Sequence, residues 1–560
     1  MTPEACDAVI VGSGATGGWV AKELTEAGLR VVVLEAGRKL DPAVDYSEHT
    51  RPYDMPLRGR RLARHELVAE QQVQVKCYQC DEYTNHLFVK DTECPYTTPK
   101  DKPFSWIRGR HVGGKSITWG RQSYRLSDYD LKAASRDGFG QDWPLDYAEL
   151  KPYYDRVDRF VGISGAKEGL PQLPDGEFLP PMDLTCGEIH AREVLKEKFR
   201  RTLTIGRTAI LTAPLNGRPA CHYCGPCSRG CSTGSYYSSP HSSLPAALAT
   251  GRLTLIPNAV VSHVETGDDG RCQSVAYIDR LTKAHREVAG KLVVLCASTL
   301  ETNRILLNSR SERHPQGLGN SSGILGHYLM DHVMGGGANG TLPMLEGVAD
   351  ERARRPNGVY VPRFRNIDEK HPAFLRGYGF QGGANLVKWG HANALPGFGA
   401  SFKQKVRDTR AWTFNFSGFG ECLPRFENHA RLDDTVVDAW GIPVLHIDCA
   451  FGDNERKQVL DMAATAEEML KAMGAEEVKA RAEISAPGLG IHEVGGARMG
   501  NDPKTSVVNR WQQAHDVKNL FLMDGSVYPS SGCQNPTITF MALGSRACAH
   551  LVEDVKRGDL

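Results

Sequence analysis

Two kinds of apolar pattern alternate along this chain: short β-branched blocks suited to buried strands, and stretches with the recurrence of an amphipathic helix. Residues 7–35 hold both. DAVIVG reads as a short strand, ATGGWVAKELTEAG as a helix ending at Gly28, and LRVVVLE as a second buried strand. Residues 38–100 are polar, dotted with proline and basic around Arg58–Arg64, which predicts a long surface excursion. Its arginines read as a solvated face, with a phosphate or partner patch as the other reading. Over 253–296 the pattern predicts a β-meander: LTLIPNAVVSHVE, a turn at DDG, SVAYID, then KLVVLCA. A helix follows at TLETNRILLNS. Between 345 and 484 come aromatic and mixed strands (YVPRF, WTFNFSGFG, PVLHID) and one long helix over 454–473, the look of an inserted sheet-and-helix unit. The last 75 residues return to small-residue loops, a strand at NLFLMDGS and a final helix after Asn535-Pro536.

The length of 560 residues suggests several domains or one elaborate enzyme fold. Hydrophobic residues at 41% and charged residues at 24% are globular values. Sixty-seven basic against sixty-six acidic residues leave a net charge of +1, which gives no electrostatic case for nucleic acid. No run reaches the roughly 18–20 apolar residues of a spanning helix. The N-terminus lacks a basic n-region, so no secretory signal is expected and folding in the cytoplasm is the natural reading.

The chemistry begins at Gly12-x-Gly14-x-x-Gly17, set between a predicted strand and a predicted helix, with Glu35 at the end of the next strand. The glycines allow a tight turn and close backbone approach, the helix N-terminus meets a pyrophosphate, and the acid binds a ribose hydroxyl. This pattern alone does not separate FAD from NAD.

Fifteen cysteines are an odd number in a chain too long to need disulfide staples. Four fall close together: Cys221, Cys224, Cys227 and Cys231, with C-x2-C-x2-C-x3-C spacing. That run lets thiolates converge on an iron–sulfur core and suits tetrahedral zinc less well. A 3Fe-4S cluster, a 4Fe-4S cluster closed by Cys231, help from a remote thiol (Cys77, Cys80 or Cys94), zinc, and a plain loop of reduced thiols all remain open. A one-electron cluster would give electrons an exit other than oxygen.

The segment GRHVGGKSITWG at 109–120 resembles the first signature of the glucose-methanol-choline (GMC) oxidoreductases. The resemblance runs over the whole chain, through the 292–308 strand and helix, His492 in HEVGGARMG, Asp524-Gly525, and Asn535 in NPTIT. It implies an α/β fold: a Rossmann-like FAD-binding domain from 1–165, 240–345 and 485–560. A substrate-binding domain on an antiparallel sheet with helices (346–484) and a cysteine-rich segment (166–239) would be interleaved with it. It also implies FAD, bound non-covalently, because Thr118 stands where some relatives carry a flavin-linking histidine; His111 is the alternative attachment. Gly113 and Gly114 are expected to leave amides open beside a flat ligand. Val260 is expected to border the adenine, and Asp524 to hold ribityl or pyrophosphate-linked hydroxyls. Asn535 is read as the cap and Pro536 as the first turn of a final helix, whose start at Pro536 and Thr537 points toward the flavin.

His492 maps onto the family's catalytic base and Asn535 onto its second catalytic position; His327 and His332 are read as structural. Trp412, Asn415 and Glu421 are candidates for sugar contacts, with core strand residues as the other reading. The pattern looks most like bacterial FAD-dependent sugar dehydrogenases of glucose dehydrogenase or glucoside 3-dehydrogenase type, which oxidise a secondary hydroxyl of a sugar or glycoside to a keto-sugar. The resemblance implies a small export or chaperone subunit, a cytochrome c-type acceptor, and co-export to the periplasm. An oxidase releasing hydrogen peroxide and a non-redox flavin-binding lyase or interaction subunit are the competing readings.

Overall fold

A computed structural model describes residues 6–51, 54, 65–350, 352, 355–387, 392, 395–409 and 411–560. The basic stretch Arg58–Arg64 lies outside the described residues. Two large sheets carry the fold. The first has a parallel part in the order Leu253–Ile256, Val31–Leu34, Cys6–Val11, His285–Leu295 and Leu520–Leu522. VVVL and LFL are unbroken apolar runs because this part is covered on both faces. On one face Ala8, Ile10, Val31, Val33, Val294 and Phe521 pack beneath helix Ala15–Glu26 and the final helix Thr537–Arg557.

Strand His285–Leu295 belongs to two pairings. Residues 285–289 run antiparallel to Cys272–Asp279, which in turn pairs with Ala259–Thr266. From Gly290 the same strand runs parallel to Cys6–Val11. The expected meander is therefore shorter than its sequence pattern. LTLIPNAVVSHVE divides at Pro257-Asn258, where Asn258 has φ 60°, and its first half leaves for the parallel edge beside Val31–Leu34. The proline ends one strand and the left-handed asparagine re-aims the next.

The second sheet is antiparallel, in the order Glu476–Ala482, Gly336–Thr341, Trp412–Gly420, Tyr378–Leu386, Val359–Val361 and Thr204–Ile205. Strand Trp412–Gly420 alternates strictly between buried and half-buried positions. Its glycines 418 and 420 receive Met462 of helix Asp453–Ala472, which covers that face. The opposite face, carrying Gln381 and Phe419, looks into a groove shared with the first sheet. PVLHID pairs instead with His429–Val437 in a separate hairpin. No helix among the described residues is long and apolar enough to cross a membrane.

Candidate active site

The groove starts at the turn after the first strand. Gly12 has φ 96°, and any Cβ on Gly17 would collide with the Gly12 carbonyl, so the chain crosses itself here only without side chains. Gly14, by contrast, has nothing within 4 Å of a built Cβ. It is the N-cap of helix Ala15–Glu26, has no side-chain cap, and lines the groove, so the first-turn amides face it. Glu35 is buried beside the turn and accepts from Ser13 N (3.1 Å), Ser13 Oγ (2.6 Å) and Gly37 N (2.9 Å).

Gly12, Gly14, Glu35, Gly114, Thr118, Val260, His492, Asp524, Asn535, Pro536 and Thr537 all line this groove. Gly17 and Gly113 stand behind the wall, against Gly12 and Pro240. His111 is buried away from the lining, with Nδ1 3.3 Å from the Val112 carbonyl. The amides of Gly113 and Gly114 are not open as expected: they donate to Ser13 Oγ (2.9 Å) and the His111 carbonyl (2.8 Å). What these glycines supply is their left-handed φ, 98° and 47°. The final helix also departs from expectation. Pro536 is its N-cap without a side-chain cap bond, which frees the Asn535 amide for the groove.

Asp524 accepts from Thr302 Oγ1 (2.6 Å) and Ser526 N (2.9 Å). Beneath the groove, burial alone would raise the Glu301 carboxyl, but Arg304, Arg110 and Arg108 hold it down to about 2. Arg304 Nη1 and Glu493 Oε1 are buried without a partner among the described residues, and both side chains line the groove. Such orphaned polar atoms fit a polar ligand laid along it. The glycine turn, the helix starts without side-chain caps and the acid beside the turn all line the groove and fit FAD.

The residues that sequence reasoning missed surround His492. His332 Nδ1 is 2.8 Å from His492 Nδ1, and His332 Nε2 is 3.1 Å from the Gly532 carbonyl. Burial holds His332 down to about 4; burial, then His332 and Lys115, hold His492 well below its ordinary value, so both rings are neutral at pH 7. A carbonyl only accepts, which places the His332 proton on Nε2 and leaves its Nδ1 as an acceptor. His492 must then donate from Nδ1, and its Nε2 carries the lone pair. Asn535 Nδ2 lies 3.3 Å from that lone pair, while Gln381 Nε2 donates to Asn535 Oδ1 at 2.6 Å. The order of donors is thereby set from one backbone carbonyl to the groove.

Asp331 supports the backbone of this arrangement, accepting from Gly488 N, Gly490 N and His492 N at 2.7, 2.9 and 3.0 Å. Ile491, just before His492, is a β-branched residue at φ 60°, a costly conformation of the kind held at functional sites. Lys115 pairs with Glu493 Oε2 at 3.1 Å. Trp412 and Glu421 are not in the groove: Trp412 Nε1 donates to the Val348 carbonyl, and Glu421 pairs with Arg376 in the core. Asn415 accepts from Asn385 Nδ2 at 3.4 Å, outside the groove lining. Phe419 is the residue of this strand that lines it. Period-two counting from the aromatic positions 412, 414 and 416 was the available signal.

In the cysteine run, Cys221, Cys227 and Cys231 are half-buried against the main core, whereas Cys224 is exposed. Burial, then Cys227 and Cys231, raises the Cys221 thiol; Cys224 is pushed up to about 11 by burial and then by Cys227, Cys221 and Cys231. The four thiols are thus near enough to feel one another, and soft thiolates are the donor type that iron–sulfur chemistry uses. Arg121 lines the groove and also lowers Cys221 and Cys227, so the loop adjoins the groove wall. Cys94 lies elsewhere, accepting from Arg110 Nη1 at 3.1 Å.

Models of the GMC oxidoreductase family match residues 6–334 and 424–544. The chain is 30% identical to 2-methyl-1,2-propanediol dehydrogenase of Mycolicibacterium austroafricanum, over 97% of this chain and 94% of that one. It is 29% identical to the fructose dehydrogenase large subunit of Gluconobacter japonicus, over 99% and 98%. Pyridoxine 4-oxidase from Mesorbium loti shares the fold, with TM-score 0.60 and 18% identity over 97% of this chain and 99% of that one. The chain belongs to the GMC oxidoreductases, FAD-binding enzymes that act on CH–OH donors.

Proposed function

We propose that this protein is a dehydrogenase that oxidises a secondary hydroxyl of a sugar or glycoside to the ketone and passes the electrons to an external acceptor. The observation that carries the reading is His492 Nε2 standing 3.3 Å from Asn535 Nδ2, with both residues lining the groove. His492 Nε2 takes the hydroxyl proton, and Asn535 holds the oxygen by its amide N–H. Gln381 keeps that amide in the donating orientation. Asp331, through the His492 amide, and His332, through its ring, keep the base in place. Bound FAD supplies the two-electron acceptor for the hydride from the same carbon. Gly12, Gly14, Glu35 and Asp524 would hold it, with the helix starts at Ala15 and Thr537 facing it.

The half-buried thiols of the Cys221–Cys231 loop would hold an iron–sulfur cluster, which supplies one-electron acceptance next to the groove wall. Arg121, which lines the groove and lowers the Cys221 and Cys227 thiols by its charge, supports that position. A cytochrome c-type acceptor and a small export subunit complete the reading, supported by a relative named as a large subunit.

Anaerobic absorbance and EPR spectra of the purified protein, before and after adding sugars, test it. Bleaching of the flavin by a sugar and an iron–sulfur signal are expected. Stoichiometric hydrogen peroxide in air would make it an oxidase, and no bleaching by any sugar would remove the substrate class.

A further inference from the structure

A second group of metal-ligating side chains stands on the surface beside the cysteine loop. His49 Nε2 and His222 Nε2 are 2.9 Å apart, with the rings stacked at 5.1 Å between centroids and 15° between planes. The Cys224 sulfur joins them: the three ligand atoms all lie within 4.8 Å of one another. Tetrahedral zinc at about 2.0–2.1 Å from nitrogen and about 2.3 Å from sulfur spaces its ligands by roughly 3.3–3.6 Å. Only tenths of an ångström of adjustment separate the present nitrogens from that geometry.

The surroundings are arranged as they are around metal-bound histidines. Glu48 Oε1 lies 3.4 Å from His49 Nδ1, the far side of the ring from His222. Glu48 is buried, and the same oxygen accepts from Ser232 N at 2.6 Å, so the carboxylate is itself fixed. A carboxylate on the second ring nitrogen sets the tautomer that leaves Nε2 free for a metal. Ser47 N also bonds to the Arg229 carbonyl at 3.0 Å, and any Cβ on Gly230 would collide with the Tyr46 ring. Between the two ligand-bearing loop positions, Tyr223 has φ 58°, a costly conformation for a bulky residue. All three ligands are exposed, which leaves a fourth position to water.

We propose that His49, His222 and Cys224 form a site for a zinc-class divalent ion, oriented by Glu48, that pins the cysteine loop to the 46–49 segment. Two imidazoles and one thiolate are a borderline donor set suited to zinc or copper rather than to magnesium or calcium. Cys224 then serves this site, and the three half-buried thiols are left for whatever they hold. The site stands independently of an iron–sulfur cluster.

The full-length flavoprotein is loaded with zinc, freed of excess by desalting, and assayed for zinc, iron and flavin per chain. One zinc per chain is expected in the wild type. H222A and C224S should each retain less than a tenth of it, and E48Q should bind about tenfold more weakly. Iron and flavin should be unchanged in H222A. X-ray absorption at the zinc edge should show nitrogen and sulfur ligands together. No retained zinc, full retention in H222A, or an all-sulfur shell would overturn the site. A protein lacking iron that still loses zinc in H222A removes the cluster and leaves the zinc site standing.

Discussion

The Nδ1 atoms of His332 and His492 lie 2.8 Å apart, and because His332 is bonded to a carbonyl through its other nitrogen, only one of the two can be the donor. Replacing His332 with phenylalanine removes the acceptor and lets His492 adopt the tautomer with a protonated Nε2. We expect kcat to fall by about 10²–10⁴-fold with KM and FAD content unchanged. H332N, whose amide oxygen can accept, should recover part of the rate. Steady-state kinetics with flavin quantification checks both; an unchanged kcat in H332F would reject the tautomer chain.

The depressed His492 pKa predicts the position of the acid limb in kcat/KM. A base held below its ordinary value stays unprotonated to lower pH, so activity should persist below pH 6.5. Asn535→Asp puts a carboxylate beside Nε2 and favours the imidazolium. The limb should then move up, and a pH–rate profile that stays put would show that Asn535 does not face the base.

Glu301 joins Arg110 at 3.1 Å and Arg304 at 2.6 Å under the groove. Glu301→Gln leaves two buried guanidinium groups short of a partner and should cost about 3–5 kcal/mol. With the folded carboxyl at about 2 and the unfolded one near 4.5, its stabilisation is complete above pH 4.5 and lost as pH falls toward 2. Melting temperatures of wild type and E301Q should therefore converge across that window, and parallel curves would contradict the pairing.

Two glycines of one motif should fail in different ways. Gly17→Ala drives a methyl into the Gly12 backbone and should prevent folding, whereas Gly14→Ala meets nothing and should fold. The added methyl of Gly14→Ala enters the groove, so FAD content should drop while circular dichroism is retained. Normal flavin loading in G14A would mean that the ligand does not approach this turn.

The parts of the site legible in the sequence are those built locally. The strand, turn and helix around Gly12, Gly14 and Gly17 lie within one short segment, and Glu35 follows at the end of the next strand. His332 was not legible, because LMDHVM carries no signal of its own. It reaches His492 through the pairing of Met330 with Val494 and the bonds of Asp331 to the 488–492 backbone, contacts across more than 150 residues. Gln381 is likewise brought to Asn535 by the register of the second sheet. Trp412 failed as a sugar-contact candidate for a simpler reason: strand alternation sends it into the core and Phe419 to the groove.

The last strand, Leu520–Leu522, completes the parallel sheet beside Val293–Leu295, and the final helix then closes over the first. A ribosome has made more than 500 residues before this closure becomes available. Cofactor capture is consequently a late event in biosynthesis, and a nascent chain stalled short of Thr537 holds a nucleotide turn without its opposing wall. Pairings this distant in sequence assemble slowly. Flavin supply during expression should therefore govern the yield of active protein more than the rate of translation does.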